Sequence, residues 1–136
     1  MTMNQSRLSN ELVINGSTLL RLHWGRAVTG GVCAELAVFA IVFPVLHFFE
    51  QTAFLVSILI SPAALPLIFA VWVDRHVESH FVLHGLIVGV GAGLVYVVVA
   101  WGQTEPLLYK VAHGLKLMGG LLGGVISARR MTDYSV

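Results

Sequence analysis

Apolar residues run almost unbroken through four stretches of this chain, residues 27–49, 51–73, 81–101 and 107–128, with short polar breaks between them. Each stretch matches the roughly 20 apolar residues that an α-helix needs to cross a bilayer. Backbone polar groups in lipid must be satisfied within the segment that carries them, so continuous apolar runs predict helices. A transmembrane β-barrel would show strict alternation, which is absent. The expected fold class is therefore all-α, an integral membrane bundle of four transmembrane helices. A polar tail over residues 1–22 precedes it, the helical domain occupies 23–130, and a short tail of 131–136 follows.

Composition strengthens this reading. The chain has 136 residues, of which 57% are hydrophobic and only 11% charged. A soluble domain of that size could not bury so much apolar surface, whereas a chain packed against acyl tails need not. The charges also fall asymmetrically. Arg7, Arg21 and Arg26 precede the first stretch, Arg75 lies in the second break, and Arg129 and Arg130 follow the fourth stretch. The first break, at Glu50, and the third, over 102–106, carry no Lys or Arg. Positive charge in short loops marks the cytoplasmic side, so both termini are expected there. Trp24 and Trp72 fall at the inner ends of their stretches and Trp101 and Tyr109 at the outer ends, as interfacial anchors do.

The polar stretch before residue 27 does not resemble a cleaved signal peptide. With no targeting segment and a compact layout, a bacterial inner membrane is the expected location. Cys33, the single cysteine, cannot form an intrachain disulfide and is expected to be buried and inert.

Small residues organise the second half of the chain. Gly85, Gly89 and Gly93 recur every fourth residue in the third stretch, and Gly119, Gly120, Gly123 and Gly124 cluster in the fourth. Small residues at this spacing let helices approach closely, so these glycines predict a seam between the third and fourth helices, or a contact between copies of the chain. Pro62 and Pro66 each remove a backbone donor, which predicts a kink or break near Ser61.

Two charges lie deep in apolar stretches. Glu35 is about 12 Å from the inner surface and Lys116 about 13 Å from the outer one, at 1.5 Å per residue. In a hydrocarbon core of about 30 Å they reach similar depth from opposite directions. An unpaired charge at the bilayer centre costs at least about 2.5–3.5 kcal/mol, so the two are expected to face inward and meet. Lys110, His113 and Lys116, three residues apart, form a positive stripe on one face of the fourth helix. It would line an anion path, or Lys110 would snorkel outward and leave only Lys116 in need of a partner.

His76, His80 and His84 are spaced by four and are the weak candidates for a metal. His76-Val77-Glu78-Ser79-His80 resembles one histidine box of membrane di-iron oxygenases, a family that needs several such boxes; no metal or cofactor is expected. Ala34-Glu35 resembles the first-helix carboxyl of small multidrug-resistance exporters. The one-sided charge bias and the lysines of the fourth helix depart from that family. Phosphate-binding loops and nucleophile motifs are absent, so no enzyme activity is expected, and a net charge of +1 does not indicate nucleic-acid binding. Two function classes follow. One is a non-transporting subunit, assembly factor or regulator whose partners are the bilayer, another membrane protein or a second copy of the chain. The other is a small proton- or ion-coupled transporter or channel-like protein using Glu35 and the Lys/His stripe.

Overall fold

The computed structural model describes residues 23–133 apart from 78, 103 and 105; the tail expected over 1–22 lies outside the described residues, as do 134–136. Four helices follow one another: α1 (Trp24–Phe48), α2 (Gln51–Asp74), α3 (Phe81–Val99) and α4 (Leu107–Asp133). All four are long and apolar enough to span a membrane. Their bounds track the apolar runs, except that α4 continues past Ala128 into the short tail.

The connections are tight and locally encoded. Phe49 and Glu50 are both extended and reverse the chain between α1 and α2. Pro106 sits directly before α4, where a missing backbone N–H costs nothing because the first helical donors have no partner in any case. His80, with φ of 61°, is the one non-glycine residue with positive φ among the described residues. It turns the chain into α3, and its carbonyl accepts hydrogen bonds from the backbone N–H groups of Leu83 and His84. One end of the bundle thus carries the start of α1, the α2–α3 turn and the end of α4; we call it the tail side, and the opposite end the hairpin side.

The helices form a four-sided bundle in which α1 and α4 each pack against α2 and α3. α2 and α3 also touch across the short diagonal, whereas α1 and α4 share no backbone contact. The interior is built of small residues, including Ala27, Ala34, Ala70, Val88 and Ala92. Large apolar side chains face outward instead: Leu36 is 57% exposed, Phe43 55%, Ile60 60% and Leu94 60%. Among the largest fully buried side chains are Lys116, His84, Glu35 and Asp74. Large apolar side chains on the exterior and the buried charges turned inward are compatible with a bundle set in lipid.

Glycine explains how close the helices come. A Cβ on Gly85 would strike the Gly120 carbonyl, and one on Gly89 would lie 2.8 Å from the Lys116 carbonyl oxygen. Gly120 and Gly124 thus close on α3, while Gly119 and Gly123 close on α2 at Ala63 and Leu67. The two glycine pairs, one residue apart, are turned about 100° from each other, which wedges α4 between two neighbours. The seam differs from the sequence expectation at one position. Gly93 faces open space, with nothing within 4 Å of where a Cβ would lie, because Ala92 and not Gly93 turns inward. Gly31 supplies a contact that the glycine spacing does not reveal: a Cβ there would lie 2.7 Å from the Val88 carbonyl oxygen, tying α1 to α3.

α2 shows no break: it is helical without interruption through Pro62 and Pro66, and hydroxyls of Ser57 and Ser61 donate to the Phe54 and Ser57 carbonyls within the same stretch. One further expectation is corrected. Cys33 is half-buried, not buried.

Candidate functional site

Glu35 projects from α1 and Lys116 from α4, the two helices that oppose each other across the long diagonal. Both backbones are pinned before the side chains meet. Ala34 and Glu35 are fully buried, and the close approach of Gly89 holds the Lys116 backbone against α3. The Lys116 Nζ donates to Glu35 Oε1 at 2.7 Å, with the two side chains 2% and 0% exposed. The sequence expectation that the two charges meet is therefore realised. The ion pair does not dock two touching helices, however; it spans the bundle interior between helices with no backbone contact.

Aromatic groups enclose the pair. Lys116 Nζ lies 4.7 Å from the centroid of the Tyr96 ring, within the range where a ring face attracts a cation. Tyr96 in turn meets His113 edge-on at 4.6 Å, stacks against Tyr109 at 5.9 Å and lies tilted to Phe39 at 6.3 Å. A cavity of about 40 Å³ is left beside the pair, lined in part by Glu35, Pro62, Tyr96, Tyr109 and His113. Only about 10–15 Å³ is needed for a water centre, so the space suits a few waters or a small ion. Glu35 Oε2 makes no hydrogen bond among the described residues. The close glycine contacts of α3 with α4 cluster toward the tail side, and these aromatic rings lie toward the hairpin side.

The positive stripe resolves into unequal parts. Lys116 is buried and His113 half-buried at the cavity, whereas Lys110 is exposed. Tyr109, expected as an interfacial anchor, is half-buried and turned toward Tyr96. Sequence reasoning missed Tyr96 altogether. A signal was present: Gly85, Gly89, Ala92 and Tyr96 recur at helical spacing, so a residue on the seam facing α4 should have been sought there.

The histidines do not gather. His76 Nδ1, in the turn after α2, lies 3.2 Å from the Trp72 carbonyl of the last turn of that helix. His84 is fully buried, with Nδ1 3.0 Å from the His80 carbonyl and Nε2 accepting from the His23 backbone N–H at 3.3 Å. A carbonyl can only accept and a backbone N–H only donate, so His84 is the neutral tautomer with its proton on Nδ1. It staples the start of α1 to the start of α3. Among the described residues no three His, Cys, Asp or Glu side chains are placed to hold a metal.

One further buried charge lies on the tail side. Asp74, the last residue of α2, is 1% exposed, and its carboxylate pairs with no cation among the described residues. The Ser127 hydroxyl interacts with the Asp74 carboxylate and is shared with the Gly123 carbonyl, to which it donates at 3.0 Å. Comparison with family models, with curated proteins and with solved structures finds no match for this chain. The functional reading rests on these residues.

Proposed function

We propose that this chain is a non-transporting multi-pass membrane protein, a subunit, assembly factor or regulator, with both termini on the cytoplasmic side. The observation that carries this reading is the Lys116–Glu35 hydrogen bond of 2.7 Å between fully enclosed side chains. A transport carboxylate must exchange its ligand with water. Glu35 is instead occupied by a cation fixed to the same chain, and the adjoining space is only about 40 Å³. Breaking a buried ion pair by removing one partner costs about 3–5 kcal/mol, so a cycle that empties Glu35 would carry that cost at every turnover. A pair of this kind is a device for selecting one packing arrangement among several apolar alternatives. It suits a protein whose task is to present a fixed surface to the bilayer or to a neighbouring membrane protein. The one-sided arrangement of Arg26, Arg75, Arg129 and Arg130 supports the orientation.

Reconstitution into liposomes tests the reading. With an imposed pH or cation gradient, vesicles holding the protein should show no flux above empty vesicles, and Glu35→Gln should leave the trace unchanged. Flux in the parent that disappears in Glu35→Gln would overturn the proposal. It would favour the second reading, ion-coupled transport, which draws on the unsatisfied Glu35 Oε2 and its adjoining cavity.

A further inference from the structure

Asp74 is chemically out of place. Its carboxylate is enclosed, pairs with no cation among the described residues and has a shared Ser127 hydroxyl as its neighbouring donor, a costly state for an ionised group. It does, however, line a cavity of about 230 Å³ on the tail side, together with Arg75, Ser127 and Arg130. That volume far exceeds the about 10–15 Å³ required by a single water. The remaining wall is apolar, formed by Val71, Phe81 and Met131.

Charge selects the occupant. Two arginines disfavour a simple cation, and a buried carboxylate disfavours a simple anion. A zwitterion satisfies both: its negative group on the guanidinium forks, which match phosphate geometry, and its positive group on Asp74. Because a carboxylate only accepts hydrogen bonds, the cation should carry N–H donors. Depth selects the source. The 24 residues of α2 extend about 36 Å at 1.5 Å per residue, against a hydrocarbon core of about 30 Å. Asp74 closes that helix, so its cavity lies at the level of lipid headgroups, with its apolar wall available to acyl chains.

We propose that this tail-side cavity binds the headgroup of a phospholipid bearing a primary ammonium, a phosphoethanolamine lipid, with Asp74 receiving the ammonium and Arg75 and Arg130 the phosphate. The site lies apart from the Glu35–Lys116 pair and stands whether that pair is structural or not.

Native mass spectrometry of the full chain released from detergent tests this. Lipids with matched acyl chains and phosphoethanolamine, phosphocholine or phosphoglycerol headgroups are added at equal concentration. The phosphoethanolamine lipid should be retained about tenfold over the other two, the effect of one charge-assisted hydrogen-bond set. Retention should fall stepwise as its nitrogen is methylated, a series that needs no variant. Asp74→Asn should reduce its retention to the phosphocholine level, and Arg75→Gln with Arg130→Gln should weaken all three. Equal retention of the three headgroups by the parent, or an undiminished preference in Asp74→Asn, would overturn the proposal. Water-soluble glycerophosphoethanolamine should bind at least about tenfold more weakly, for want of acyl contacts. Equal binding of that molecule would assign the cavity to a soluble ligand and overturn the lipid assignment.

Discussion

Glu35 and Asp74 are both carboxylates buried to about 1% exposure or less, yet they sit in opposite circumstances. Glu35 meets a lysine that belongs to the same chain, deep in the bundle and enclosed by aromatic rings. Asp74 meets no cation among the described residues, has only a shared hydroxyl of Ser127 beside it, and borders a cavity flanked by arginines at the bundle's edge. A charge satisfied from within tells of architecture, because the fold supplies both halves. A charge left unsatisfied at the edge tells of something outside the fold. The contrast teaches that burial alone does not mark a functional carboxylate in a membrane bundle; what decides is where its partner comes from.

The largest effect that could break this contrast is on the internal pair. Lys116→Met alone should destabilise by about 3–5 kcal/mol, since it strands Glu35 in the interior, and thermal unfolding in detergent would read it. The seam that positions both centres comes next. Gly120→Val forces a side chain onto the Gly85 carbonyl and should cost at least the about 1–3 kcal/mol typical of overpacking; equilibrium unfolding in mixed micelles measures it. Asp74→Asn should act with the opposite sign to Lys116→Met. In detergent free of phosphoethanolamine lipid it should stabilise by about 1 kcal/mol, by relieving an unsatisfied buried charge. That gain should vanish when the lipid is added back. The smallest effect belongs to Gly93→Ala. With open space around it, the substitution should leave stability unchanged or raise it by up to about 1 kcal/mol through helix propensity, as a melting curve would show.

Much of the fold was legible because lipid imposes a length and a continuity on its helices. The four apolar runs placed α1 to α4 within a few residues, and depth arithmetic brought Glu35 and Lys116 to one level. What could not be read was azimuth. In these helices apolar residues face both the exterior and the neighbouring helices, so hydrophobicity carries no inward stripe. Gly93 therefore looked like part of the seam although Ala92 takes its place. Tyr96 went unnoticed among valines, and the diagonal opposition of α1 and α4 had no trace in spacing. Asp74 stands in no motif that would single it out from the sequence. Its surroundings depend on Ser127, far away in sequence, whose hydroxyl it shares with the Gly123 carbonyl. The histidine spacing misled for a related reason: His84 is satisfied by backbone groups of His23 and His80, which side-chain patterns do not reveal.

The central claim is that Glu35 and Lys116 form one structural unit. A double-mutant cycle of Glu35→Gln and Lys116→Met, followed by unfolding in detergent, addresses it most directly. The account predicts that each single change destabilises strongly and that the double change recovers much of the loss, with a coupling of about 2–3 kcal/mol. Additive effects would contradict it, and would return Glu35 to the standing of a carboxylate kept for ion or proton binding.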